Sequence, residues 1–213
     1  MRKIHDIVFC VSLLGGIVMT DSKNPSAVRS KTLICDALLR LMEQHPYEEI
    51  TVKQIALEAK LVRKTFYRNF DSKEDVLESI FDTIVNEYKI HLVMLKNTLP
   101  IDMIFEFCLQ RKHLLMLFDK NNMMYRILQK LNDTIPEKHE ELVAIGAFPL
   151  ELFGDLDPYY LISMNTGGIW NVICRWVREG MKEDPKKIGA QLTEYIINMG
   201  AYAQKMKAAK KSI

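Results

Sequence analysis

Thr51–Lys73 reads TVKQIALEAKLVRKTFYRNFDSK, and the spacing inside this stretch decides the fold. Thr51 with Gln54 three residues later fits a capping box: the hydroxyl accepts from an orphan backbone N–H while the amide reaches back to the cap. A short helix follows, with Val52, Ile55, Ala56 and Ala59 as its apolar positions. Lys60-Leu61-Val62 reads as the connection to a further helix over Arg63–Phe70, whose Phe66 and Phe70, at i and i+4, share one buried side. Between Lys60 and Lys73 stand five basic residues, Lys60, Arg63, Lys64, Arg68 and Lys73, against one acid, Asp71. In a helix-turn-helix the first helix braces on the DNA backbone and the second places its N-terminal residues in the major groove. Arg63, Lys64, Thr65, Tyr67 and Arg68 give the second helix the hydrogen-bonding face that this role demands.

Working outward, the N-terminal side carries Ile34, Ala37, Leu38, Leu41 and Met42 at helical spacing, a buried stripe that ends at His45-Pro46. On the C-terminal side Ser72 reads as an N-cap, and Glu74 and Asp75 fall in the first turn, where the helix dipole favours negative charge. Val76, Leu77, Ile80, Phe81, Ile84, Val85 and Tyr88 then continue in one phase, so this fourth helix is long. Further on, prolines punctuate the chain. Asp157-Pro158 and Asp184-Pro185 each put a capping acceptor before a proline at the first helical position.

The helix from about Pro158 to Glu179 carries Ile169, Val172, Ile173, Trp176 and Val177 on one stripe, with Leu161, Met164 and Gly168 beside it. The helix from about Pro185 to Met206 has Ile188, Leu192, Tyr195, Ile196, Met199, Ala203 and Met206 in the same period. Two adjacent antiparallel helices with such broad apolar faces suit a four-helix interface between two copies of the chain. With no sustained alternation of period two, the expected fold class is all-α.

The 213 residues, 48% of them hydrophobic and 26% charged, are ordinary for a soluble globular protein. The net charge of only +2 means that any nucleic-acid surface has to be local. Cys10, Cys35, Cys108 and Cys174 are widely spaced, with no C-x-x-C pair or zinc pattern, and read as reduced core residues of a cytoplasmic protein. No H-E-x-x-H, G-x-S-x-G or phosphate-binding loop occurs, and Gly167-Gly168 lies inside a helical pattern, so neither an enzyme nor a cofactor is expected. The apolar run Ile7–Met19 after Arg2 and Lys3 is short of the roughly 20 residues that span a membrane. The simplest reading starts translation at Met19; a signal or a membrane tether is the alternative.

The pattern Thr51-Val52, Ile55-Ala56, Ala59, Thr65-Phe66-Tyr67, Phe70, Ser72-Lys73-Glu74-Asp75 resembles the DNA-binding domain of the TetR/AcrR family over Ala27 to Tyr88. The resemblance implies a DNA-binding domain at 27–88 with its helix-turn-helix at 51–70, and an effector-binding and dimerisation domain at 89–213. Residues 1–26 form an extension. It also implies phosphate contacts from Tyr67, Lys73 and Thr51, and base or backbone contacts from Arg63, Lys64, Thr65 and Arg68. The partners implied are a palindromic DNA operator, a second copy bound through about 158–179 and 185–206, and a small-molecule effector. The implied role is a repressor; an activator or co-regulator acting through a protein partner keeps the same fold. Met116, Phe118, Met123, Met124, Tyr125, Phe148, Phe153, Tyr159, Tyr160 and Trp170 are candidates to line an effector pocket, and for any one of them ordinary core packing is the simpler account. Two positions depart from the family pattern. Lys60 stands where glycine is usual, which asks a lysine for a left-handed conformation, and Val62 stands where serine or threonine would cap the recognition helix.

Overall fold

The computed structural model describes residues 25–94, 101–137 and 157–210, and among them the regular elements are helices only. The extension, including the Ile7–Met19 run, lies outside the described residues. No helix among those described is long and apolar enough to cross a membrane.

The chain divides into two compact units: residues up to Glu87 together with Lys120–Asn122, and Tyr88–Asp119 with Met123 onward. In the first unit α1 spans Pro25–Gln44 and buries Ile34, Cys35, Ala37, Leu38 and Met42. It stops where Pro46 forces the preceding residue out of helical geometry. A single 3-10 turn, Tyr47–Glu49, leads to α2 (Val52–Glu58) and α3 (Arg63–Tyr67). Both short helices pack on α1, and α4 (Lys73–Met94) begins in this unit with Val76, Leu77, Ile80, Phe81, Ile84 and Val85 buried. The helix expected over Arg63–Phe70 is thus shorter, closing at Tyr67. Asn69 draws its side-chain Nδ2 back onto the Thr65 carbonyl at 2.7 Å, occupying an acceptor at the helix end.

The second unit contains α5 (Ile101–Gln110), α6 (Lys112–Lys120, whose last residue belongs to the first unit), α7 (Met124–Glu137), α8 (Pro158–Arg178) and α9 (Pro185–Lys210). Here α9 packs on α5 and α8 on α7. The two tryptophans are core residues whose indole N–H groups are satisfied: Trp170 donates to the Met124 carbonyl at 3.1 Å and Trp176 to that of Glu183 at 3.0 Å. The Phe105 ring meets Trp176 edge-on at 5.4 Å, an arrangement favoured by the ring quadrupoles. Asp157 accepts from the Tyr159 N–H and Asp184 from the Lys186 N–H, so both Asp-Pro pairs start helices as their spacing predicts. Cys35, Cys108 and Cys174 are buried free thiols.

Candidate nucleic-acid interface

The bracing helix α2 is fixed at its start by the full capping box. Gln54 N donates to Thr51 Oγ1 at 3.3 Å, and the Thr51 N–H and hydroxyl both donate to Gln54 Oε1, at 2.9 and 2.7 Å. Thr51 is exposed, yet its hydroxyl proton is already committed, so the side chain acts first as a cap.

The turn between α2 and α3 is a Schellman motif. Leu61 N donates to the Ala56 carbonyl at 2.9 Å and Lys60 N to that of Leu57 at 3.0 Å, with Lys60 at φ 56°. The left-handed lysine expected from the sequence is therefore present, and its cause is this pair of bonds. Val62 is the N-cap of α3 with φ −77° and ψ 147°, and no side-chain bond caps the helix, as its identity predicts.

Phe66 anchors α3. It is fully buried and meets Tyr67 and Phe70 at ring distances of 5.5 and 6.2 Å. Because one face is fixed in this way, Arg63, Lys64, Tyr67 and Arg68 are all turned to solvent, and Thr65 is half-buried. Arg63 folds along the helix: its guanidinium lies over the Tyr67 ring at 5.8 Å and donates to the Tyr67 hydroxyl at 3.4 Å. The result is an exposed row of cations and a phenol on a helix set by an aromatic anchor, the chemistry that binds phosphates and base edges.

Lys73 is placed differently from its neighbours. Its ammonium donates to the carbonyls of Tyr47 at 2.8 Å, Ile50 at 2.9 Å and Glu48 at 3.0 Å, and lies over the Tyr47 ring at 4.5 Å. An ammonium has three donors, and these carbonyls take all of them. Lys73 thus ties the start of α4 to the 3-10 turn. Ser72 and Asp75 close the same helix start, Asp75 N donating to Ser72 Oγ at 3.1 Å and Ser72 N to Asp75 Oδ2 at 3.0 Å.

The residues suggested for an effector pocket do not form one group. Phe118, Met123, Met124 and Trp170 are buried. Tyr125 and Tyr160 are 65% and 71% exposed, and Met116 and Tyr159 are also at the surface, because they fall on the outer faces of α6, α7 and α8. Phe148 and Phe153 lie outside the described residues. Two further features were not drawn from the sequence. One is Lys120–Asn122, where Asn121 Oδ1 accepts from the Tyr47 N–H at 3.2 Å and Lys120 donates to the Glu43 carbonyl at 2.9 Å. The other is the exposure of Val62, for which the polarity pattern gives no signal.

Taken together, the anchored basic helix and its bracing partner define an all-helical protein of the helix-turn-helix class. Residues 34–80 match the family of bacterial regulatory proteins, tetR family. The match lies within the N-terminal unit and supports DNA-binding transcriptional regulation as the coarse function. Two solved structures share the fold. One is the fatty acid degradation regulator FadR from Bacillus halodurans, at TM-score 0.57 and 21% identity over 83% of this chain and 97% of that one. The other is the dihydroxyacetone kinase operon activator DhaS, at TM-score 0.51 and 18% identity over 81% of this chain and 97% of that one. No curated protein sequence matches the chain.

Proposed function

We propose that the protein is a homodimeric, sequence-specific regulator that represses from a palindromic operator and leaves it when a small molecule binds the C-terminal unit. The observation that carries the DNA contact is the solvent-facing row Arg63, Lys64, Tyr67 and Arg68 on a helix held by buried Phe66. Dimerisation through α8 and α9 is supported by Met164, Tyr195, Met199, Tyr202 and Met206, all large apolar side chains left exposed on these two helices. A two-fold dimer presents two copies of α3 about one DNA turn apart, which makes the operator palindromic.

A second reading, activation, is favoured by one observation: DhaS, which shares the fold, is described as an operon activator. The position of the operator relative to the promoter separates the two.

The test is a mobility-shift titration on DNA selected from a random duplex pool. Arg63→Ala or Lys64→Ala costs roughly 1–3 kcal/mol if the side chain reads a base. Tyr67→Ala weakens binding to every sequence alike. Unchanged affinity in all three variants would remove α3 from the groove.

A further inference from the structure

We propose that Val62 reads sequence: its isopropyl group meets the 5-methyl group of a thymine in the major groove, making one thymine per half-site a determinant of specificity. The inference rests on the reading that α3 enters that groove, and deepens it.

Val62 stands immediately before α3, with its carbonyl accepting from Thr65 N at 2.8 Å and Phe66 N at 3.3 Å. It is 68% exposed, although it adjoins a helix whose Phe66 is fully buried. The position is costly for valine in the free protein on two counts. Serine, threonine, asparagine or aspartate would satisfy a backbone N–H there, whereas valine does not and also leaves its apolar surface in water. The second cost disappears when the side chain is covered. Residues at the N-terminal end of a recognition helix are those that reach base edges. The neighbouring Arg63 guanidinium is drawn back toward Tyr67, one turn along the helix, and Val62 stays open to solvent beside it. On the floor of the major groove the apolar feature that distinguishes one base pair from another is the thymine methyl. An isopropyl group has no hydrogen bond to offer, so this contact is the one by which it discriminates.

The experiment uses the full chain and a tight-binding duplex selected from a random pool. Each thymine is replaced in turn by deoxyuridine, which keeps every hydrogen bond and loses only the methyl group, and the dissociation constant is measured at fixed salt. Wild-type protein should lose about fourfold at one position of each half-site, and about fifteenfold when both symmetry-related thymines are replaced. Val62→Ser, which restores a capping oxygen and so keeps the helix, should bind the thymine and uracil duplexes equally at that position. Indifference of the wild type to every replacement overturns the assignment, and so does a methyl dependence that survives in Val62→Ser. A chain that retains no duplex in the selection instead overturns the reading of α3 as the groove helix, a different outcome from binding without methyl dependence.

Discussion

Lys60 shows how far a single residue can depart from what its backbone position favours. The Schellman motif that ends α2 needs a left-handed residue, and the same pattern recurs at the end of α6 and of α8. In α6 Met123 N bonds to the Phe118 carbonyl with Asn122 at φ 55°, and in α8 Met181 N bonds to the Trp176 carbonyl with Gly180 at φ 81°. Asparagine and glycine are the ordinary occupants of such a position; lysine is not, because its Cβ crowds the following carbonyl. Lys60→Gly is therefore expected to raise the unfolding free energy by about 1 kcal/mol. Urea denaturation at fixed protein concentration should show a higher midpoint with the slope unchanged. If the exposed ammonium of Lys60 neutralises a phosphate, the same variant lowers the dependence of log K on log salt by about one unit. A gain in stability with an unchanged salt slope would confine Lys60 to the turn. Lys73 is the converse case. The motif places it among the phosphate contacts, but three carbonyls some 23 to 26 residues earlier in the chain hold its ammonium, and contacts at that separation leave no periodic trace in a sequence.

At the scale of the helices, what was legible depended on local chemistry. The capping box at Thr51, the Asp-Pro starts of α8 and α9 and the buried faces of α1 and α4 follow from neighbouring residues, and the structure has them, with Leu41 and Tyr88 half-buried at the edges of the two faces. The early end of α3 was not legible, because Phe70 keeps its apolar place, 7% exposed, although the helix has already closed. The proposed pocket suffered from a related ambiguity. Tyr125, Tyr160 and Met116 have the composition of a cavity lining, but composition does not say which face of a helix they occupy. The cysteines fared better, since apolar helix positions bury them whatever the topology. Burial pushes the Cys35 and Cys108 thiols from an ordinary 9.0 up to about 12, with the Asp36 charge adding to the effect at Cys35. Each thiol keeps its proton in the folded chain to a higher pH than in the unfolded one. Their contribution to stability is complete below pH 9 and is lost as the pH climbs from 9 toward 12. Native protein at pH 8 should react with a thiol reagent at these two cysteines only at the rate of unfolding, and denaturation midpoints should fall above pH 9. Stoichiometric labelling of Cys35 and Cys108 in the native protein would contradict their burial.

The molecule as a whole combines a helix-turn-helix unit that could be read from one motif with a second unit whose exposed surface could be read only as an excess of apolar residues. Along α9, Tyr195, Met199, Tyr202 and Met206 recur at intervals of three or four residues, and each is exposed, at 61%, 47%, 61% and 46%. Met164 on α8 is exposed to 64%, and a Cβ added at Gly167 or Gly168 would meet nothing within 4 Å, so this stretch of α8 presents a low, open surface. A row of large apolar side chains along one helix is an unusual surface for a protein that remains alone in water, and a two-fold copy would bury it against itself. Charge placed in the middle of such a face is costly only if the face is covered, because an exposed glutamate loses no hydration. Met199→Glu is accordingly expected to leave the DNA-binding unit folded, as read by the denaturation of its tryptophan-free helices in circular dichroism, while converting dimer to monomer in analytical ultracentrifugation. Operator affinity should then fall by orders of magnitude, since each monomer engages one half-site and loses the effective concentration supplied by its partner. A Met199→Glu protein that still sediments as a dimer would move the interface away from this face of α9. One that is monomeric yet binds the full operator unchanged would separate DNA recognition from dimerisation.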